Sequence, residues 1–391
     1  MAPVLDGHIT TLLTAIILFY FGLGPVLGFA TTQILGILLS LFCGILISRL
    51  VTDFWTKKQR HFEYFTALSR RIFKHASFKF IEYRKVAYII SIVVLILGVG
   101  SFFNGFDQGV EYKGGRSYTV RFDTPTQNEK IRESLKNTFG EYPVLKTVGD
   151  NKTLNITTSF MIDNPSKTAD STVEVALYNG LKESLPSGLS YADFKKSYKQ
   201  SSQTVQPSIS DDLKKGAVKA TIFAIIAIFL YIFLRFRDWR YSMGTIIALL
   251  HDVFVTLAVF SFLKGVVPFP LEIDQHFIAA ILTVIGFSMN DTVIVFDRIR
   301  EYSGKMKSES KGVIINKAIN ETLSRTIMTS LTVFLTLLIL FIFGGEVTRG
   351  FAFAMLIGVI TGTYSSIFVA APVLVDIAKD RPLGQSDSKK K

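Results

Sequence analysis

Apolar residues in this chain come in long unbroken blocks, not in the short alternating patterns of a sheet protein. Eight blocks are long enough to cross a bilayer, which takes about 20 helical residues. They run roughly over Val4–Leu23, Val26–Leu50, Val86–Phe103, Ala217–Leu234, Tyr241–Leu263, Phe277–Phe296, Ile327–Phe343 and Gly350–Val375. Gly24-Pro25 predicts a tight turn between the first two. One long polar stretch, Gly105–Lys214, interrupts the series, and its periodicity is that of a folded domain. Ser117–Phe122 alternates as a strand, and Asn128–Phe139 has helical spacing. Val144–Val148 and Thr153–Ser159 form a strand pair about the turn Gly149-Asp150-Asn151. Ser171–Leu185 predicts a second helix, Tyr191–Tyr198 a last strand, and Ser201–Ser210 a polar linker. The order β-α-β-β-α-β predicts a ferredoxin-like sandwich. The expected fold is therefore a polytopic α-helical membrane bundle of about eight spans carrying an α+β ferredoxin-like extracytoplasmic domain.

The first and last helix pairs resemble each other. With Gly28 of the segment 10–44 placed on Gly350 of the segment 332–366, Phe19 meets Phe341, Phe21 meets Phe343 and Gly22 meets Gly344. Gly28-Phe29-Ala30 then meets Gly350-Phe351-Ala352, and Gly36 meets Gly358. A helix pair repeated at both ends implies a duplicated, transporter-like bundle. It also implies that the chain starts inside a repeat whose other helices precede Met1.

The division expected along the chain is a membrane hairpin over 1–53, a basic cytoplasmic connector over 54–84 and a single span over 85–105. The extracytoplasmic domain follows over 106–214, a five-span bundle over 215–378 and a basic cytoplasmic tail over 379–391. Thr56–Tyr83 is aromatic and amphipathic, and either lies on the inner membrane surface or is a solvated linker.

The net charge of +12 suggests nucleic acid only until its placement is considered. Lys57, Lys58, Arg60, Arg70, Arg71 and Lys74 crowd one connector; Arg235, Arg237 and Arg240 the next on that side; Arg298, Arg300, Lys305 and Lys307 a third. Every second connector is basic, which is the positive-inside pattern, so the partner is the lipid bilayer and not nucleic acid. Both termini then face the cytoplasm, and Gly105–Lys214 faces outward. The one cysteine, Cys43, rules out a disulfide framework within the chain. Met1 is not followed by a basic n-region, so no signal peptide is expected.

Polar residues within spans are expensive and by default mark function. Asp291 lies about 14 residues past Phe277, roughly 21 Å along the helix and inside the membrane. Thr283, Asn290 and Asp297 recur every seven residues on one stripe, with Asp291 beside it. A buried carboxylate there can take up a proton; the alternative is a structural pairing carboxylate. Arg325, Thr329, Thr332 and Thr336 form a second stripe, on which Arg325 either neutralises a facing carboxylate or snorkels to the inner surface. His251-Asp252, with Thr256 one turn on, is either part of an ion path or a pin between two helices. Asp6, Thr10 and Thr14 repeat the polar-stripe pattern in the first hairpin. Gly358 and Gly362, like Gly36, Ser40 and Gly44, are small-residue packing positions. There is no nucleotide-binding loop, no HExxH and no Cys/His metal cluster, so no catalytic or metal residues are assigned and the chain does not read as an enzyme.

Several longer runs resemble a known family. Gly109-Val110-Glu111-Tyr112-Lys113-Gly114-Gly115 resembles the G-V-D-F-x-G-G motif after the first span of SecF, with Glu111, Tyr112 and Lys113 in place of the usual Asp-Phe-Ser/Thr. The runs Arg235–Val253, Leu282–Glu301 and Asn320–Thr332 also resemble SecF, and the first hairpin resembles the last two spans of SecD, in the order of a fused SecDF. The resemblance implies an accessory component of the Sec translocase on the RND plan, using the proton motive force to promote preprotein translocation across the inner membrane. It implies the missing SecD portion, the SecYEG translocon and unfolded preproteins as partners, and protons or sodium ions in place of any cofactor. It makes Asp291 a coupling carboxylate and Arg325 its basic partner, with Asn290, Asp297, Asp252 and Asp6 as companions on the ion path. Gly109, Glu111, Gly114 and Gly115 form the periplasmic motif. The alternatives are an RND-type exporter of small molecules or lipids, which shares the architecture, and a scaffold in which Asp291 and Arg325 merely pair.

Overall fold

The computed structural model describes residues 2–22, 25–57, 77–148, 152–164, 168–205, 207–267, 269, 271–344 and 346–378. The expected turns at Gly24-Pro25 and Gly149–Asn151, most of the 56–83 connector and the basic tail lie at least in part outside these residues.

The membrane helices form where the apolar blocks predict them, but several extend well past the apolar core. The first hairpin is α1 (Ala2–Phe21) and α2 (Pro25–Leu41), the latter continuing through a π-helical turn, Phe42–Ile47, into α3 (Ser48–Thr56). Next come α4 (Arg84–Asn104), α9 (Pro207–Phe236), α10 (Trp239–Phe262), α11 (Gln275–Lys305), α12 (Lys311–Phe343) and α13 (Glu346–Ser365), which runs through the π turn Ser366–Ala370 into α14 (Ala371–Ala378). Seven helices among the described residues are long and apolar enough to cross a membrane, and α1 adds a shorter apolar stretch, Leu5–Phe21.

At the centre stands α11. Phe277, Val284, Ile285, Met289, Val293, Phe296 and Ile299 are buried, so this helix is wrapped by protein on most of its circumference. Side chains absent at key points let its neighbours close in. A Cβ added to Gly358 of α13 would lie 2.5 and 2.9 Å from Cγ1 and Cβ of Val284, so the expected packing role holds there. Gly36 and Gly44 of the first hairpin have nothing within 4 Å, so the expected packing role is not seen for them among the described residues. The outer faces of α2, α3 and α4 remain apolar and exposed, as lipid-facing surfaces are, through Leu35, Leu38, Leu39, Phe42, Ile89, Val93 and Ile96.

Between α4 and α9 the chain leaves the bundle. It makes a short strand β1 (Asp107–Gln108) and one helical turn α5 (Val110–Lys113), then the domain proper. There β2 (Gly115–Arg121), α6 (Asn128–Phe139), β3 (Val144–Thr147), β4 (Thr153–Thr158), α7 (Ala169–Leu181), α8 (Tyr191–Asp193) and β5 (Lys199–Val205) follow in order. The sheet is antiparallel with order β3-β4-β2-β5, the ferredoxin-like arrangement. One face buries Tyr118, Val120, Leu154 and Ile156 against Ile131, Leu135, Val173 and Leu177 of the two helices. The other face is polar: Ser117 donates to Asn155 at 2.9 Å.

The last strand is not where the sequence predicts it. Tyr191–Tyr198 is helical, α8 running into a π turn, because Tyr191, Phe194 and Tyr198 recur at helical spacing and the Ser190 hydroxyl accepts from the Asp193 amide at 3.2 Å. The strand is the next stretch, KQSSQTV, which from Ser201 on the sequence reading treats as linker. It is an edge strand exposed at Gln200–Thr204, so it shows no apolar alternation.

Candidate functional site

Among the described residues, the most deeply buried carboxylates of the bundle are Asp252 and Asp291. Asp291, on α11, is 1% exposed, and its Oδ2 accepts from the Ser330 hydroxyl of α12 at 3.2 Å. That hydroxyl in turn accepts from Thr363 of α13 at 2.7 Å, so three helices meet on one hydroxyl-linked carboxylate. The other oxygen, Oδ1, is buried and has no hydrogen-bond partner among the described residues. Asp252, on α10, is wholly buried: its Oδ2 accepts from Ser288 of α11 at 2.7 Å and from Ser365 of α13 at 2.8 Å, and its Oδ1 lies 3.2 Å from Nδ1 of His251. Ser288 belongs to the polar group Thr283, Ser288, Asn290 and Asp291 that marks this span in the sequence, whereas Ser330 and Ser365 carry no sequence signal of their own, because a lone serine in an apolar run commonly bonds its own helix backbone.

The expected stripe on α11 is split by the structure. Asp291 faces α12 and α13, whereas Asn290 faces α1, where its Oδ1 fills the space a Cβ on Gly7 would need. Asp297 turns to the inner end of the bundle. There Arg235, at the end of α9, donates to both oxygens of Asp6 at 2.9 Å, and its Nη2 lies 3.4 Å from Asp297. Tyr231 also donates to Asp6 at 2.7 Å, and Arg300 to Asp297 at 2.7 Å. Asp6 is thereby a clamped, hydrogen-bonded carboxylate, and the sequence reading does not foresee Arg235 as the residue that ties α1 to α11. Thr283, the remaining member, bonds the Ala279 carbonyl of its own helix.

The stripe on α12 faces outward. Arg325 is exposed, and no ion pair within 4 Å joins it to Asp291. Thr329, Thr332 and Thr336 each donate to a carbonyl one turn back on their own helix. Such hydroxyls are satisfied locally, so their alignment does not require a polar partner. The inward face of α12 is the neighbouring one, with Thr326 and Ser330.

On the outer side, the glycine motif is a joint. Gly109 donates its amide to Ile273 at 2.9 Å, and β1 pairs in parallel with β6 (Glu272–Ile273), just before α11. A Cβ at Gly109 would lie 2.7 Å from Cβ of Asp274, the residue whose side chain caps α11 through the Phe277 amide at 2.7 Å. Gly114 has φ +74°, a left-handed conformation that turns the chain from α5 into β2. Buried Gly115 is the first residue of that strand and pairs with Val205 of β5. Glu111 is half-buried and borders, with Asp274, His276 and the polar sheet face, a cavity of about 240 Å³ between domain and bundle. Burial pushes the hydroxyl pKa of Tyr112 upward, with Asp274 and Glu111 adding to the effect. The motif thus fastens the domain to the outer end of the helix that carries Asp291. No cluster that could hold a metal ion occurs among the described residues.

Comparison with known proteins accords with this geometry. Residues 189–380 match the family of the protein export membrane protein SecD/SecF, C-terminal, and residues 99–126 match the SecD/SecF GG motif. The chain is 41% identical over 309 residues to protein translocase subunit SecF of Rhodothermus marinus, across 78% of this chain and 95% of that protein. It is 33% identical over 382 residues to protein translocase subunit SecDF of Brucella abortus biovar 1, across 96% of this chain and 47% of that protein. The crystal structure of SecDF, a translocon-associated membrane protein, from Thermus thermophilus superposes with a TM-score of 0.79 at 30% identity, covering 97% of this chain and 48% of that one. The chain thus spans nearly the whole of that SecF relative and about half the length of the SecDF relatives.

Proposed function

The chain belongs to the SecD/SecF family of protein export membrane proteins, and from that premise we propose that it is the coupling half of a Sec translocase subunit, in which Asp291 takes up and releases the ion that drives preprotein export. The carrying observation is Asp291 itself: a carboxylate 1% exposed within a membrane helix, held on one oxygen by Ser330, with its other oxygen unpartnered and no cation in ion-pair range among the described residues. Charge in such a place is costly and proton uptake relieves it, so the group changes state with the ion gradient. Burial disfavours the charged form, and the one hydrogen bond from Ser330 favours it.

The setting is the bacterial inner membrane, with the ferredoxin-like domain on the periplasmic side. The SecD portion is the partner for the outward faces of α2 and α12. The SecYEG translocon and unfolded preproteins are the partners of the whole, and the polar sheet face supports contact with extended polypeptide. The protein acts as a translocase subunit and not as an enzyme, and the coupling ion, H⁺ or Na⁺, stands in place of a cofactor.

The test is export into vesicles carrying the protein together with the SecD portion, with and without an imposed proton gradient. Asp291→Asn keeps size and hydrogen bonding and removes titration. It is expected to insert normally and lose the gradient-dependent part of export. A full response in this variant would remove Asp291 from the coupling path.

A further inference from the structure

His251 and Asp252 form a dyad that the helix-pin reading does not fully explain. An ionised carboxylate only accepts hydrogen bonds. Asp252 is surrounded by donors in that state: Ser288 and Ser365 reach Oδ2 at 2.7 and 2.8 Å, and His251 Nδ1 lies 3.2 Å from Oδ1. Two serine hydroxyls converging on one oxygen fit an acceptor that stays an acceptor. With Nδ1–H donating to Asp252, the second nitrogen, Nε2, carries a free lone pair. That nitrogen is buried, in a residue 2% exposed, and has no hydrogen-bond partner among the described residues. A pin needs only Nδ1, and Nε2 is left over.

We propose that the His251–Asp252 dyad is a second proton-holding site of the bundle, loading its proton on His251 Nε2. The step balances without any co-reactant. The empty site is a carboxylate beside a neutral imidazole, net −1. The Nε2 lone pair takes one proton from the ion path, a new N–H bond forms, and the site becomes an imidazolium–carboxylate pair, net 0. Both serine hydrogen bonds persist through the change. Release reverses it. The site sits on the same helices as Asp291. Ser288 precedes Asp291 by three residues on α11, about 4.5 Å along the axis, and Ser365 follows Thr363, the end of the Asp291–Ser330–Thr363 chain, by two residues on α13. Loading the dyad thus changes charge inside the frame that holds Asp291.

The ring of Tyr364, from α13, stacks on His251 with centroids 5.7 Å apart and an angle of 27°. Its hydroxyl donates to the Ala87 carbonyl of α4, which fixes the stack. Ionisable groups on the helices packed around α10 pair among themselves: Tyr88 and Arg84 of α4 bind Asp376 of α14, Arg235 of α9 binds Asp6, and Asp291 of α11 is held by Ser330. The proposal deepens the ion-coupling reading and rests on it for its purpose, though not for its geometry.

The experiment is ¹⁵N NMR of histidine-labelled protein in lipid nanodiscs, where imidazole shifts report each ring nitrogen. The chain has five histidines, and His251→Gln identifies the signal. Expected is one imidazole whose Nε2 gains a proton on acidification. Asp252→Asn, which removes the carboxylate beside the ring, should displace that midpoint. Because Asp252→Asn can disturb folding, Ser365→Ala serves as a second variant that keeps the carboxylate and should displace the midpoint too. A Nε2 signal that stays unprotonated throughout, or a midpoint indifferent to both variants, overturns the proposal. The two readings separate cleanly. If Asp291→Asn abolishes the gradient response while Nε2 never loads, the coupling role stands and the dyad proposal fails. If Nε2 loads with the stated dependence while Asp291→Asn keeps its response, the dyad is a proton site and the assignment of Asp291 fails.

Discussion

Replacing Gly358 by alanine tests whether α11 and α13 are held at a distance set by a missing side chain. The new Cβ would sit 2.5 Å from Cγ1 and 2.9 Å from Cβ of Val284, and closer still to Cγ2. Val284 is wholly buried and β-branched, so rotation about χ1 cannot withdraw both methyls. Ordinary carbon contacts lie near 3.5–4.0 Å, so the helices must part by about 1 Å. Overpacking of this kind costs about 1–3 kcal/mol. Parting α11 from α13 also stretches the bracket in which Ser288 and Ser365 reach one oxygen of Asp252. Val284→Ala alone opens a small cavity, with a loss on the order of 1–2 kcal/mol by comparison with other truncations. The two changes fill each other's defect. In the double variant the alanine methyl enters the space of the valine methyls, and a coupling of about 1–2 kcal/mol toward wild type is expected. Unfolding by SDS titration in mixed micelles measures all four corners of the cycle. Additivity within about 0.5 kcal/mol, or an unperturbed Gly358→Ala, would refute a distance fixed by that contact.

At the inner end, Arg235→Leu leaves Asp6 and Asp297 facing each other without their shared cation, and Asp6 is 7% exposed at its side chain. The loss expected for breaking a buried pair, about 3–5 kcal/mol, is reduced because Arg235 is 20% exposed. Asp6→Asn should restore part of the stability in the same unfolding assay, and no rescue would show that the clamp is not electrostatic. In the soluble domain, burial holds the hydroxyl pKa of Tyr118 above its ordinary value. The folded state therefore keeps that proton to higher pH than the unfolded chain, whose tyrosines titrate near pH 10. The stability this proton contributes is complete below about pH 10 and falls as pH rises beyond it. Tyr118→Phe should flatten the alkaline decline in the domain's melting temperature, and an unchanged slope would place the titrating group elsewhere.

Most of the bundle is legible from the chain because the bilayer imposes one rule, a long apolar run, and α4, α10 and α13 obey it. Helix ends are less so. A long apolar run does not tell that α11 continues to Lys305 or that α12 begins at Lys311, since both extensions are amphipathic: Ile299, Ile315, Ile319 and Leu323 pack into the core while Arg298 pairs with Glu301 and Glu321 on the other side. Facing is harder still. Asp291 is conspicuous by charge, but its partner Ser330 is one hydroxyl among many, and the regular stripe from Arg325 to Thr336 points outward. Periodicity finds a face; only packing decides which face turns in. The edge strand β5 escapes for the complementary reason, because a strand exposed along Gln200–Thr204 has no buried side to impose alternation there.

The pairing of β1 with β6 has a mechanical corollary. A helix of 31 residues is about 46 Å long, and α11 is gripped near both ends: outside by the Gly109–Ile273 joint, inside by the Arg235–Asp297–Arg300 cluster. Such a rod has almost no freedom to slide. What remains is rocking and turning about its own line. A rocking of 5° about Asp297, roughly 33 Å along the axis from Gln275, carries its outer tip through about 3 Å. The domain is bolted to that tip by a strand pair and not by a slack linker, so it travels as the load on a lever whose long arm is the helix bearing Asp291.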